Sequence, residues 1–425
     1  MASRVAGVSR RIVVVGAGLA GLVAAIRLAR EGMNVSVVAR GAGSLHLSPG
    51  TLDVLGYDPD PVASPREGLA AFTTARPDHP YATLAPHLEE SMAWFREVVP
   101  GMRIEGGLDR NILLPSAIGV PRPTAFAPAS LAAGDLAPIR RVAVVGFHPL
   151  KDFFPRLLAE NLSRSALPGG ASVGARPIDL TVSPRPGRAD VGGPVYARAF
   201  DEPDFRARVA DALRVRIEDG EHVALPAIVG LRHAGEAWDD LRERLGAPVF
   251  EIPTLPPSVP GMRLQHELLD AFAAAGGRLV LGPTAVGCES AGGRLTAIVV
   301  RDAVRERAIT ADAVVLATGG FSAGGLELDS FGALRETVLG LAVTGPPEGA
   351  PRLSPRQLDH QPLMSAGLTV DDALRPVDAS GAATWGNLHA AGTIVGGAAP
   401  WREKSGEGIA IAGGYRAASA ILEGP

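Results

Sequence analysis

Residues 11–21 read Arg11-Ile12-Val13-Val14-Val15-Gly16-Ala17-Gly18-Leu19-Ala20-Gly21, and this stretch decides the fold. Four β-branched residues in a row predict a short strand buried on both faces. The glycines that follow have separate tasks. Gly16 permits a tight turn, Gly18 lets the backbone approach a phosphate, and Gly21 lets the next helix pack closely on the strand. Leu19, Leu22, Val23 and Ile26 share one helix face, Gly32 closes that helix, and residues 35–38 read as a second strand. The product is a βαβ unit with a right-handed crossover. Its helix N-terminus presents free N–H groups and a partial positive charge to an anion. The alternative is an ordinary βα turn that holds nothing.

Two later segments give the turn its companions. Residues 311–320, Ala-Asp-Ala-Val-Val-Leu-Ala-Thr-Gly-Gly, resemble the second fingerprint of flavoproteins with a glutathione-reductase-like nucleotide fold. Residues 387–393, Asn-Leu-His-Ala-Ala-Gly-Thr, are followed by Gly396, Gly397, Gly406 and Gly408. They resemble the C-terminal segment of that superfamily, where backbone meets the ribityl chain and the flavin ring. The expected fold class is α/β: a glutathione-reductase-like, FAD/NAD(P)-binding Rossmann-type domain with a second, inserted α/β domain. The expected cofactor contacts are Gly16, Gly18, Leu19, Ala20, Gly21, Arg40, Thr318, Gly319, Gly320, Gly392, Thr393, Gly397 and Gly408. Ser48, Gly50 and Thr51 join them from the loop after the second strand, with plain turn chemistry as their alternative.

The kind of flavin turns on one position. Dinucleotide binders place an acidic residue ~20 residues past the glycine turn to hold the adenosine ribose. Here that position is Ala39, which cannot accept the hydrogen bond. FMN, with one phosphate at the helix N-terminus, needs no such anchor and is the expected cofactor. FAD held through backbone or Arg40 is the alternative.

The remainder of the 425 residues divides accordingly, with residues 1–60 plus 265–425 expected to form the flavin-binding domain and 61–264 the inserted one. Within the insert, residues 141–146 read as a buried strand, and helices and strands then alternate to about residue 245. With 46% apolar and 20% charged residues, the chain has the composition of a globular protein with a core. The net charge of −4, without a basic run, gives nucleic acid or anionic lipid no bulk attraction. A single cysteine, Cys288, excludes a disulfide framework and an internal cysteine-ligated cluster, and fits a reducing cytoplasm. No metal site is expected. Ser9-Arg10-Arg11 imitates a twin-arginine export signal, but the glycines at meaningful spacing favour the nucleotide turn. No uncharged stretch reaches the ~18 residues of a membrane span.

A more specific resemblance runs along the whole chain. It is carried by residues 46–53, His-Leu-Ser-Pro-Gly-Thr-Leu-Asp; by residues 253–265, Pro-Thr-Leu-Pro-Pro-Ser-Val-Pro-Gly-Met-Arg-Leu-Gln; by residues 141–154; and by Leu374-Arg375-Pro376. The chain resembles the B subunits of anaerobic glycerol-3-phosphate dehydrogenase. That resemblance implies an enzyme oxidising sn-glycerol 3-phosphate to dihydroxyacetone phosphate and passing electrons through flavin to a quinone. It also implies partners: an FAD-containing A subunit and an iron–sulfur C subunit that docks the complex at the inner membrane, with this chain cytoplasmic and peripheral. FMN is the flavin the family assigns to the B subunit.

Hydride transfer to a flavin needs a base for the substrate hydroxyl and cations for its phosphate. The candidates are His46, Arg263 and His266. His46 has a hydrogen-bonded loop histidine as its alternative, Arg263 a domain-bridging or surface ion pair, and His266 a structural role. Trp385 and Trp401 are candidates to shield a ring, or core and interface residues. Two rival functions stay open at this level. One is a self-sufficient FAD oxidoreductase of amine-oxidase or ketosteroid-dehydrogenase type. The other is a flavin-free scaffold that holds partners together.

Overall fold

The β-branched run forms the strand Arg11–Val15, with Ile12 to Val15 all buried, as a strand covered on both faces must be. The computed structural model describes residues 9–347, 349–357 and 359–424, so the outermost ends of the expected first domain lie outside the described residues. Two compact units result. One comprises the chain up to Ser44, Leu69–Val98 and everything from Leu268 on; the other comprises Leu45–Gly68 and Val99–Glu267.

In the first unit the helix Leu19–Arg30 returns the chain to the strand Asn34–Ala39 beside the first. Three further parallel strands complete the sheet, in the order Arg278–Leu281, Asn34–Ala39, Arg11–Val15, Ala313–Leu316, Leu388–Ala390. A three-stranded antiparallel sheet, Thr284–Ala291, Arg294–Arg301 and Glu306–Thr310, shares the same hydrophobic core. The C-terminal helix Gly406–Glu423 packs on the first helix at very close range. A Cβ on Gly414 would stand 2.4 Å from the Ala20 carbonyl oxygen, so only glycine allows this approach.

That helix also explains why residues 69–98 belong here rather than with the insert. Tyr415 donates to Glu90 on the helix Leu88–Val98 and meets the Trp94 ring edge-on at 5.6 Å. Arg27 lies over the Tyr415 ring at 3.7 Å, completing the stack.

Asp312, just before the strand Ala313–Leu316, pins the start of the neighbouring strand Arg11–Val15. It accepts from the Arg11 backbone N–H at 2.7 Å and from the guanidinium at 2.7 and 3.1 Å. The Arg11 side-chain hydrogen bond, seconded by the backbone one, holds its carboxyl down at about 2. A carboxyl depressed on folding contributes stability that is complete above the ordinary Asp value of ~4 and lost as pH falls toward about 2. Because the two side chains remain 47% and 36% exposed, Asp312→Asn should cost no more than about 1 kcal/mol at neutral pH. Urea midpoints of the two proteins should converge as pH falls through that window.

The second unit is a doubly wound α/β fold of its own. Its parallel sheet runs Gly174–Leu180, Arg141–Phe147, His222–Pro226, Val249–Ile252. Helices Pro155–Arg164, Gly193–Phe200, Pro203–Arg214 and Ala234–Leu245 supply the rest of its core. Its limits differ from the expected 61–264, because the segment after Ser44 is stitched into it. Leu52 N–H donates to the Phe126 carbonyl at 2.8 Å, and Asn111 donates to the carbonyls of Leu55 and Val62 at 2.8 and 2.7 Å. Among the described residues no helix is long and apolar enough to cross a membrane.

Candidate functional site

The glycine turn is as tight as its spacing requires. Gly16 has φ +114°, and a Cβ there would sit 2.2 Å from the Ala317 carbonyl oxygen. A Cβ on Gly21 would sit 2.1 Å from the Gly16 carbonyl oxygen, so the helix can start only where the third glycine is bare. Gly18 is the opposite case, with nothing within 4 Å of the place a Cβ would take: open space lies in front of the helix N-terminus. No side chain caps that helix and its first turn holds no acidic residue. Its leading amides, from Gly18, Leu19 and Ala20, therefore offer unfilled donors to an anion.

The two later glycine segments meet this turn within the same unit. Residues 317–318 abut Gly16, and the Gly320 N–H donates to the Thr393 hydroxyl at 3.1 Å. Gly392, at φ +78°, comes close enough to Ala20 that a Cβ would be 2.9 Å from the Ala20 methyl. Gly319 also takes positive φ, at +78°. The Thr318 hydroxyl is buried here with no hydrogen-bond partner among the described residues, so it has a donor and lone pairs to offer a ligand or a water. Arg40, exposed at the end of the second strand, brings its guanidinium to 3.9 Å from a Cβ on Gly324, beside this second segment. Among the described residues Arg40 forms no ion pair. Gly397 lies against the Asp78 carbonyl, and Gly408 is buried in the first turn of the C-terminal helix.

A bare helix N-terminus, an orphaned buried hydroxyl and an unpaired arginine together fit a phosphate-bearing cofactor. If the Thr318 hydroxyl serves that cofactor, Thr318→Val should weaken flavin retention about tenfold, the worth of one buried hydrogen bond, and leave the melting of flavin-free protein unchanged. Flavin-to-protein absorbance after dialysis measures the first; calorimetry measures the second.

His46, Ser48, Gly50 and Thr51 fall in the second unit, and there the structure joins two motifs some two hundred residues apart. The Ser258 N–H donates to the His46 carbonyl at 2.8 Å, a Cβ on Gly50 would lie 2.4 Å from Pro260, and one on Gly261 would lie 2.0 Å from the Leu45 carbonyl. The proline-rich turn thus backs the histidine loop. The half-buried His46 ring forms no hydrogen bond among the described residues. Ser48 lacks that freedom, since its hydroxyl accepts the Gly50 N–H at 3.2 Å. The Thr51 hydroxyl is buried and without a partner.

Arg263 requires a correction. Its side chain is only 5% exposed, and four of its five N–H groups are engaged within its own unit. It donates to Glu251 at 2.7 and 3.0 Å and to the carbonyls of Val229 and Gly230 at 3.0 and 2.8 Å. A guanidinium so occupied cannot clamp a substrate phosphate; nor is it the surface or domain-bridging pair of its alternative reading, since it forms a buried ion pair inside one unit. His266, farther along the same helix Val259–Ala274, is half-buried and held by neighbours. Trp385 packs partly buried on the first unit's core, and Trp401 is exposed beside Arg402. Sequence reasoning missed Glu251, and also Asp53, which is buried between Arg122 and Thr124. Glu251 carries no local motif that would have revealed it, whereas Asp53 closes the 46–53 stretch and is given no role there.

A parallel Rossmann sheet with this glycine cradle defines a flavin-binding protein of the dinucleotide-fold class. Residues 11–409 match the family described as FAD binding domain. The probable B subunit of anaerobic glycerol-3-phosphate dehydrogenase from Halobacterium salinarum is 33% identical over 431 residues, covering 98% of each chain. The B subunit of anaerobic glycerol-3-phosphate dehydrogenase from Yersinia pestis is 31% identical over 422 residues, covering 97% of each. The chain belongs to the family of anaerobic glycerol-3-phosphate dehydrogenase B subunits, within the FAD-binding-domain proteins. The family description names the dinucleotide and so weighs against FMN.

Proposed function

We propose that this chain is the flavoprotein B subunit of a complex that oxidises sn-glycerol 3-phosphate to dihydroxyacetone phosphate. The observation that carries the proposal is the intact, unfilled glycine cradle in a chain alike from end to end to relatives of that name. A flavin-free scaffold would need Gly16 and Gly21 for its own packing, but would have no reason to keep Gly18 bare, where a Cβ would meet nothing within 4 Å. When bound, the flavin supplies the electron acceptor for the substrate's carbon–hydrogen bond. The chain's own residues bind and orient it: the amides from Gly18 to Ala20 hold phosphate, Arg40 offsets its charge, and Thr318 donates to it. His46, whose ring forms no hydrogen bond among the described residues, is the candidate to take the substrate's hydroxyl proton.

The partners in this reading are an FAD-containing A subunit and an iron–sulfur C subunit. With Cys288 as its lone cysteine, this chain must pass electrons to clusters held elsewhere, and onward to a quinone at the membrane. The proposed location is the cytoplasmic face of the inner membrane, reached through the complex.

For the cofactor, the family description supports FAD, which the cradle's open helix end can hold through its pyrophosphate. The absence of an acid at Ala39, where the second strand ends, favours FMN as the second reading. Heat release of the chromophore followed by chromatography decides between them. FAD is the expected product; FMN would restore the mononucleotide reading, and colourless protein would remove the flavin altogether.

A further inference from the structure

At the other end of the flavin unit's sheet, the amino ends of the strands Ala313–Leu316 and Leu388–Ala390 border a cavity of about 260 Å³. The glycine cradle follows the carboxyl ends of those strands. At a rise of ~3.3 Å per residue, the two places are roughly 15 Å apart along the sheet. Four arginines line this cavity: Arg10, Arg294, Arg375 and Arg416. Among the described residues one carboxylate, Glu423, lines it with them.

The arginines differ in what else holds them. Arg416 pairs with Glu423 at 3.0 Å and donates to the Asp372 carbonyl, and Arg375 pairs with Asp371 at 2.7 Å. Arg10 and Arg294 have only backbone acceptors, the carbonyls of Ile421 and Asp312. Among the described residues neither forms a salt bridge, although Arg10 lies near enough to help depress the Asp312 carboxyl. Two guanidinium groups thus border the same small space without a salt bridge of their own among the described residues.

The wall carrying Arg375 is built at a conformational cost. Leu374, buried and not a glycine, takes φ +61°, a conformation that costs of order 1 kcal/mol or more and persists only where the surroundings impose it. Asp371 imposes it, accepting from the backbone N–H of both Ala373 and Arg375 and from the Arg375 side chain. The Leu374 carbonyl is fixed in turn by the Ala390 N–H at 2.8 Å. His389, 5% exposed, bonds through Nδ1 to the Ala373 carbonyl at 2.7 Å. Burial, and behind it the charges of Arg375 and Arg416, keeps His389 on the neutral side of its ordinary range. This is the Leu-Arg-Pro segment that the flavin cradle leaves without a task.

We propose that this cavity is a second ligand site, which takes a small multivalent oxyanion of the phosphate-monoester class, separate from the flavin. Planar guanidinium forks from several directions suit phosphate oxygens, and the volume admits a phosphate with a short organic tail but not a nucleotide.

The test uses flavin-loaded protein, so that the cradle is already occupied, and inorganic phosphate as the probe at constant ionic strength set with chloride. Calorimetric titration should show saturable binding with Kd in the millimolar range or tighter. Removing the two unpaired cations, in the double variant R10Q/R294Q, should weaken it by about tenfold or more while the flavin spectrum is unchanged. Glu423→Gln, at an exposed helix end, should tighten it severalfold by removing the opposing charge, and serves if the arginine variant does not fold. Absence of saturable binding overturns the proposal, as does phosphate affinity unmoved by whichever of these substitutions folds.

Discussion

Gly16→Val is expected to yield colourless protein. At φ +114° an L side chain is strained whatever the space, and here there is none, since its Cβ would stand 2.2 Å from the Ala317 carbonyl oxygen. The Ala317 backbone cannot retreat freely, because its N–H bonds to the Val15 carbonyl at 2.8 Å inside the parallel sheet. Relief must come from opening the turn, which would move the Gly18 amide from the place proposed for the phosphate and part the first glycine segment from the second. The strain alone is worth about 1–3 kcal/mol, and the lost anion contacts add to it. Flavin retention should therefore fall by at least two orders of magnitude, on the scale of about 1.4 kcal/mol per tenfold. Absorbance of purified protein, with circular dichroism to confirm folding, measures this. A valine protein that kept its flavin would mean that the cofactor is held elsewhere.

Arg263→Ala is expected to damage stability far more than it damages substrate binding. It would strand Glu251, whose side chain is entirely buried and whose remaining partners are the Ser130 hydroxyl and the Val229 N–H. Breaking a buried pair from one side costs roughly 3–5 kcal/mol, because the surviving charge is left in a medium that cannot solvate it. The urea midpoint should drop accordingly. Adding Glu251→Gln in the same protein should recover part of the loss, since a neutral amide is cheaper to bury. Folded protein that survives at low temperature should keep an ordinary KM for glycerol 3-phosphate. A large rise in KM with an unchanged midpoint would instead return Arg263 to the substrate's phosphate.

The contrast between these two residues shows what a sequence of this kind reveals. The glycine turn is legible because every requirement it meets is local: a strand, a turn and a helix start lie within eleven residues. The chemistry of Arg263 is not legible, because its partner Glu251 lies across a proline-rich turn and carries no pattern of its own. The same division holds for the fold. Strands built on an aliphatic run, such as Val142 to Val145 in Arg141–Phe147, are visible, whereas Thr284–Ala291 is not. Gly287 and Ser290 interrupt its alternation, and the register shifts at two places to accommodate them. The boundary near residue 60 is misplaced for a related reason. It depends on hydrogen bonds such as Asn111 to Leu55, between residues with no reason in sequence to be neighbours. Ala39 does lack an acid, but a missing anchor is a weak guide to the ligand when the family description names the dinucleotide.

Electrons from glycerol 3-phosphate are expected to enter the flavin of a complex that contains this chain. The most direct measurement adds glycerol 3-phosphate, without oxygen, to the purified complex carrying this chain unaltered, and follows the flavin's visible absorption with a quinone analogue or dye as final acceptor. Rapid bleaching of flavin, dye reduction, and loss of this chain's share of that bleaching in the Gly16→Val complex are the predicted result. Flavin on this chain that stays oxidised while the complex turns over would contradict the account.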